Sequence, residues 1–338
     1  MLKSKIIGII EVDHSTPLEI RERLNVHSTL MTPIVDDLKK EEVFKESLFM
    51  CTCNRTLLIY VTNVDPELAK RVAGSLFEKW AGRDMSQSNF KYFQDEAALH
   101  FLMRLAVGAD SAMFGEDQIL GQIRLFYKVA LEQKTSGPIL NRIIQNLLFA
   151  AGKMKSKYQL SRGSVSIPGI VSKIVDENCG KFPNPARVLI IGWGEITYTL
   201  FKILKISKRY EISVSNRKLE KINVDCNKIP FTQLNESLGS FDVIITMTSR
   251  SGYVVRRAEM DDGIYRVIID LGVPRNVEPA VSEIEGMKMF DIDDVNRKAN
   301  QSLQSRTNAF HGMETDSDFL FFQKKMIAFV QGADAPFV

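Results

Sequence analysis

The sequence predicts an α/β protein: an N-terminal α+β domain, then a doubly wound parallel sheet, then a short helical segment at the C-terminal end. Three observations predict it. Over the first hundred residues, short strand-like runs and helical periodicities mix without strict alternation, the habit of an α+β domain. Beyond the Pro-punctuated stretch Lys181-Phe182-Pro183-Asn184-Pro185, apolar strands recur with helices or loops between them, the cadence of a parallel sheet. From Asp291 the pattern turns helical and polar. The expected boundaries are 1–160, 161–290 and 291–338, in keeping with the ~150 residues of a typical domain.

Each element has its own reason. Residues 5–12 are an apolar run interrupted at Glu11, which reads as a short buried strand and is too short for a signal peptide. Residues 17–23 and 31–42 carry helical spacing. Residues 47–51 and 56–62 read as strands, with Thr52-Cys53-Asn54-Arg55 as the turn between them. Helical periodicity returns over 66–80, and again from 95 to 105 after a polar break. A loop over 108–117 precedes two long helical patterns, 118–133 and 138–158. The second carries an apolar stripe of Ile139, Ile143, Ile144, Leu147, Leu148 and Ala151. Its basic tail of Lys153, Lys155, Lys157 and Arg162 suits either a helix C-terminus in water or a phosphate-contacting patch.

In the second half, 187–191 is a continuous apolar strand, followed by Gly192-Trp193-Gly194-Glu195 and an apolar helix to 204. Further strands are expected at 211–215, 241–247 and 266–270. After 291, Val295, Ala299 and Leu303 share a stripe, and 319–330 is an apolar terminal helix that packs against the body or a partner.

Composition narrows the class. An apolar content of 45% and a charged content of 25% are those of an ordinary globular protein, and a net charge of +3 neither requires nor forbids an RNA partner. Four scattered cysteines argue against a disulfide framework and for a reducing, cytoplasmic setting. With only four histidines and no paired Cys/His cluster, no metal site is expected. No segment approaches the ~18 uninterrupted apolar residues of a membrane span.

Two places carry chemistry. Cys53 sits beside Arg55, where a cation favours the attacking thiolate and the guanidinium fork matches a carboxylate. By itself the tripeptide also reads as a strand end with a surface arginine. In the second half, strand, Gly192-x-Gly194 and helix form the setting of a Rossmann-like loop. The first glycine allows the turn, and the second lets backbone approach a pyrophosphate. Thr197 stands at the third glycine position, and bulky Trp193 lies beside the phosphate path. After the next strand, Ser215-Asn216-Arg217 suits a 2′-phosphate better than a ribose hydroxyl, which favours NADPH over NADH. The expected cofactor contacts are Gly192, Trp193, Gly194, Glu195, Ile196, Thr197, Ser215, Asn216 and Arg217.

These segments together resemble the glutamyl-tRNA reductase family. The resemblance is carried by Thr52-Cys53-Asn54-Arg55, the block Gly115-Glu116-Asp117-Gln118-Ile119-Leu120-Gly121-Gln122, His14-Ser15-Thr16-Pro17 with Arg21-Glu22, and Asp270-Leu271-Gly272-Val273-Pro274-Arg275. It implies a catalytic, glutamyl-tRNA-binding N-terminal domain and an NADPH-dependent reduction of glutamyl-tRNA to glutamate-1-semialdehyde, the first step of five-carbon tetrapyrrole biosynthesis. Cys53 would form a thioester and Arg55 would hold a carboxylate of the glutamyl group. Thr52, Asn54, Ser111, Glu116, Asp117, Gln118 and Gln122 would surround that group, with Glu116 or Asp117 meeting its ammonium. Glutamate-1-semialdehyde aminomutase is the implied recipient of the product.

The chain departs from the family pattern at three points. Leu57 stands where an acidic residue is usual. Phe101 stands where a histidine is usual, with His100 one residue away, about 100° around a helix. Residues 291–338 are shorter than the family's spinal helix and dimerisation domain, which leaves the homodimer open. The alternative is a non-catalytic relative that binds tRNA, haem or a pathway enzyme.

Overall fold

The computed structural model describes residues 6–25, 31–82, 89–111, 118–158, 166–248, 250, 252–301 and 312–332. It divides into two compact units, one of residues 1–164 with 303–338, the other of residues 165–302.

The first unit is built on β1 (Ile6–Val12), β2 (Glu46–Cys51), β3 (Thr56–Thr62) and β4 (Lys91–Gln94), in the order β2-β3-β1-β4. All three pairings are antiparallel. Its helices are α1 (Leu18–Leu24), α2 (Met31–Lys40), α3 (Pro66–Ala81), α4 (Asp95–Val107), α5 (Gln118–Glu132) and α6 (Pro138–Lys157). Both faces of the sheet are covered, which is why β1, β2 and β3 are buried nearly throughout instead of alternating. Ile7, Ile9, Leu57 and Ile59 face α4 and α6, whereas Ile10, Leu58, Tyr60 and Phe49 pack under α2 and α3. Glu46 on β2 accepts from the N–H groups of Gly137 (3.2 Å), Ile139 (3.0 Å) and Leu140 (2.6 Å), so a strand carboxylate caps α6.

The second unit opens with α7 (Ile167–Asn178), then β5 (Ala186–Ile191), α8 (Glu195–Ile206), β6 (Tyr210–Asn216), β7 (Asn227–Pro230), the single turn α9 (Leu234–Ser237), β8 (Val243–Thr246), β9 (Arg266–Asp270), β10 (Met287–Asp291) and α10 (Ile292–Gln301). The six strands are parallel and ordered β7-β6-β5-β8-β9-β10. The chain steps outward from β5 to one edge and then from β8 to the other. The order therefore reverses between β5 and β8, where a crevice opens at the strands' C-terminal ends. The doubly wound Rossmann-like sheet expected from the sequence is present.

The C-terminal segment differs from expectation, and the two open readings of the α6 tail are narrowed. The segment after residue 291 is not one body: α10 packs with the second unit, whereas α11 (Ser317–Val330) returns to the first. Phe319, Met326 and Val330 of α11 enter the same apolar cluster as α4 and α6. The basic tail of α6 is also not a free phosphate patch. Lys157 pairs with Asp316 (2.7 Å) and Asp318 (3.3 Å), Lys153 lies 3.4 Å from Asp318, and Lys155 is buried. Arg162 lies outside the described residues. Among the described residues no helix is long and apolar enough to cross a membrane.

Candidate active site

The turn between β2 and β3 is tied by its own side chain. Thr52 N–H donates to the Arg55 carbonyl (2.8 Å), and Arg55 N–H donates to Thr52 Oγ1 (3.2 Å). That leaves Cys53, half-buried, at the tip. Arg21 of α1, itself buried, donates to the Cys53 carbonyl (3.0 Å) and to the Thr16 carbonyl (3.0 Å), which fixes the turn against α1. Cys51 is different: it is buried, with its thiol donating to the Leu24 carbonyl (3.3 Å) and accepting from Thr56 Oγ1 (3.4 Å). Asn54 is buried in the same turn.

Arg55 does not present its fork to open space. It lies just before β3, beside β1, and its Nη1 meets Glu11 Oε1 at 2.5 Å. Its Nη2 donates to the Asp110 carbonyl. The side chains of Arg55 and Glu11 are 2% and 1% exposed. Glu11 of this chain thus takes one nitrogen of the fork that the sequence reading assigns to the glutamyl carboxylate, and the Asp110 carbonyl takes the other. Glu11 lines a cleft of about 660 Å³, together with Asp13, His14, Lys91, His100, Phe101, Arg104, Asp110 and Ser111.

Charges around this cleft are matched in pairs. Arg104 holds Asp110 through Nε (3.0 Å) and Nη2 (2.8 Å), and its Nη1 meets Glu314. Lys91 pairs with Asp13. Burial would raise the Asp13 carboxyl, but hydrogen bonds from Lys91 and Ser15 outweigh it and hold the group at about 2. Burial pushes Glu11 up to about 7, against the opposing pull of Arg55. Burial also lowers His14.

Among the sequence-predicted residues, His100 and Ser111 line the cleft; Cys53, Thr52 and Asn54 stand on the neighbouring hairpin. The Ser111 hydroxyl is buried with no hydrogen-bond partner among the described residues. His100 and Phe101 both reach the cleft wall despite their offset on α4, and His100 Nδ1 lies 3.1 Å from Gln323 Nε2. Gln118 and Gln122 lie on α5, whereas Glu116 and Asp117 lie outside the described residues. Sequence reasoning missed the roles of Glu11, Arg104 and Asp110. The signal for the first was a charged residue inside an apolar strand.

The second candidate site is the crevice at the ends of β5, β6 and β8. It is lined by Gly192, Trp193, Asn216, Arg217, Phe231, Met247, Thr248 and Arg250, around a volume of about 100 Å³. Gly192 has φ of +102°, and a Cβ there would lie 2.1 Å from the Met247 carbonyl oxygen. Gly194 has open space at its Cβ position. Glu195 is exposed and Ile196 half-buried at the start of α8. Thr197 is buried, and its hydroxyl accepts from Gly194 N–H (2.8 Å), so it caps α8 where a third glycine is usual. Trp193 turns onto Tyr198 and Phe201, with centroids 5.9 Å away in both cases. Ser215 is fully buried, and it is not among the residues that line the crevice. Asn216 and Arg217 do reach the crevice. Asp270 supports it from behind, accepting from Thr246 Oγ1 and the N–H groups of Gly272, Asn276 and Val277, while Asn276 Oδ1 holds Thr248 N–H at 2.7 Å.

Residues 10–158 match the family model of the glutamyl-tRNA(Glu) reductase N-terminal domain, and residues 174–298 match that of shikimate/quinate 5-dehydrogenase. The glutamyl-tRNA reductase of Chlorobium limicola is 30% identical over 314 residues, which covers 88% of this chain and 73% of that protein. That of Rubrobacter xylanophilus is 28% identical over 321 residues, covering 90% and 73%. A solved structure, glutamyl-tRNA reductase from Methanopyrus kandleri, is 22% identical, covers 98% of this chain and 80% of its own, and has a TM-score of 0.49. With the N-terminal domain matched and a relative 30% identical over most of both chains, the protein belongs to the glutamyl-tRNA reductase family of oxidoreductases.

Proposed function

We propose that this chain reduces glutamyl-tRNA(Glu) to glutamate-1-semialdehyde with NADPH through a thioester on Cys53, as the first step of tetrapyrrole biosynthesis. The observation that carries the reading is Cys53 itself. In a member of this family, it is the half-buried cysteine at the tip of a pinned turn, while Cys51 two residues away is buried. The Cys53 sulfur attacks the ester carbonyl, a C–S bond forms, and the C–O bond to the terminal ribose breaks with release of the tRNA. A thioester accepts hydride more readily than an oxygen ester, so the covalent step divides one hard reaction into two.

The crevice of the second unit fits a dinucleotide. Gly192 leaves room where any side chain would strike Met247, and Arg217 and Arg250 offer positive charge at the end of β6 and beside β8. The chemistry that NADPH supplies when bound is the hydride that converts the thioester to the aldehyde. Gly192, Trp193, Asn216 and Arg217 would hold it, with Arg217 on the 2′-phosphate. The aldehyde, reactive in water, would pass to glutamate-1-semialdehyde aminomutase.

The test is a coupled assay with charged glutamyl-tRNA(Glu) and NADPH. Wild-type protein yields the semialdehyde, and Cys53→Ser lowers the rate at least ~10³-fold, as loss of a covalent nucleophile does. Absence of product from the wild type with fully charged tRNA would sink the proposal. The matched ion pairs of the cleft favour a second reading, a non-catalytic relative. A titration that finds no NADPH binding selects that reading.

A further inference from the structure

The cleft contains a feature that the reaction does not call for: a glutamate of the chain occupies the arginine fork that the proposed substrate needs. In glutamyl-tRNA the α-carboxyl is esterified, so the side-chain carboxylate is the one free anion of the acyl group. Arg55 has both terminal nitrogens engaged, one with Glu11 Oε1 at 2.5 Å and the other with the Asp110 carbonyl. Glu11 lines the cleft, and Arg55 lies behind it, so an entering carboxylate meets Glu11 before it meets the guanidinium. The other cations of the cleft are no freer. Lys91 is matched by Asp13, and Arg104 by Asp110 and Glu314.

We propose that Glu11 is a built-in competitor for the substrate carboxylate: the glutamyl group reaches Arg55 only as Glu11 takes a proton from solvent and gives up the fork, so that substrate binding and proton uptake are coupled. This rests on the glutamyl reading above. Two carboxylates around one buried guanidinium form a like-charge pair in a low-dielectric site, which favours the neutral form of one of them.

The groups facing Glu11 decide which one takes the proton. From its own strand come Asp13, held ionised by Lys91 and Ser15, and His14, which burial holds toward the neutral form. From β4 comes Lys91, from β3 Arg55, from α4 His100 and Arg104, and from the following turn Asp110. Within this set, burial makes Glu11 the carboxylate easiest to protonate, since it is already pushed up to about 7. Protonation is then available in the physiological range. The linkage sets the sign: as pH rises above that value, binding must supply a proton that is scarcer, and apparent affinity falls, toward a limit of about tenfold per pH unit.

The test uses the full chain and amide-linked 3′-glutamyl-adenosine, with the glutaminyl counterpart as a blank that has the same amine and no side-chain carboxylate. Calorimetry at pH 8 in two buffers of different ionisation enthalpy counts protons. The wild type is expected to take up about one more proton with the glutamyl ligand than with the blank. Glu11→Gln should show no such difference, and should bind the glutamyl ligand at least tenfold more tightly than the wild type at pH 8.5. In the reductase assay, the wild-type KM should rise with pH while the kcat ratio of the two forms stays constant. Tight glutamyl binding by the wild type without extra proton uptake overturns the inference and leaves the reductase reading intact. That measurement needs no variant, so it decides the matter even if Glu11→Gln does not fold. Proton uptake without turnover removes the catalytic reading alone. Failure of both the wild type and folded Glu11→Gln to bind the ligand at millimolar concentration overturns both.

Discussion

Gly192 and Gly194 look equivalent in a glycine motif, but the structure gives them different work. Gly192 adopts φ of +102° with its Cβ position 2.1 Å from a backbone oxygen of Met247, so a methyl there strains the backbone and drives β5 from the β8 loop. Gly194 opens on empty space. Gly192→Ala should therefore cost at least ~2 kcal/mol of stability as well as nucleotide binding. Gly194→Ala should melt within a degree or two of wild type and lose NADPH affinity alone. Thermal melts with and without NADPH separate the two, and equal melting temperatures would refute the steric account. The motif glycines and Cys53 were legible in sequence because their chemistry is local. Arg55 was legible only in part: its partner Glu11 lies 44 positions away. A pairing made by the register of two strands cannot be read from a tripeptide, and neither can the Arg104–Asp110–Glu314 cluster, whose third member arrives from the far end of the chain. The burial of Ser215 was illegible for a related reason. Whether a strand-end residue is open to a crevice or covered depends on the sheet's neighbours, and here Ser215 is fully buried.

At the scale of elements, α11 is the piece whose placement changes the first unit most. Its Phe319 is fully buried among α4 and α6 side chains, whereas Phe321, two positions on, is 49% exposed. Phe319→Ala should cost about 3–5 kcal/mol, the range for truncating a buried aromatic. Phe321→Ala should stay within about 0.5 kcal/mol. Denaturant melts of the full chain read both values, and similar costs would mean that α11 does not pack as described. The apolar run 319–330 announced a helix, but amphipathicity does not name the surface that buries it. Strand β3 was readable to the residue because seven buried positions follow one another between turn signals. By contrast β7, with two of four residues exposed, and the equally short β4 lack the apolar run that marks a strand. They pair through backbone hydrogen bonds supplied by partners distant in sequence. Helix α7 went unread because no helical pattern was assigned just before the Pro-punctuated stretch, although α7 packs on α8 and α10 beyond it.

At the scale of the whole chain, the second unit is a continuous segment set within a discontinuous one. Residues 165–302 contain all six parallel strands, the helices α7, α8 and α10 that pack together, and a core running from Leu189 and Ile191 to Ile268 and Val277. The buried Asp270 carboxylate closes its hydrogen bonds within the same segment, on Thr246, Gly272, Asn276 and Val277. At 138 residues, from 165 to 302 inclusive, the segment lies in the range where a single core sustains folding. The first unit has no such independence, because its core draws Phe319, Met326 and Val330 from beyond the insertion. Expressed alone, residues 165–302 should therefore unfold in one cooperative transition. They should also bind NADPH more tightly than NADH, by about 1–3 kcal/mol if Arg217 makes a charge-assisted contact with the 2′-phosphate. Arg217→Ala should remove that preference without shifting the melt, since the side chain is exposed. Residues 1–164 alone should lack fixed near-UV circular dichroism. A 165–302 fragment that fails to fold while 1–164 folds would reverse this division of labour, and calorimetry on the two fragments decides between them.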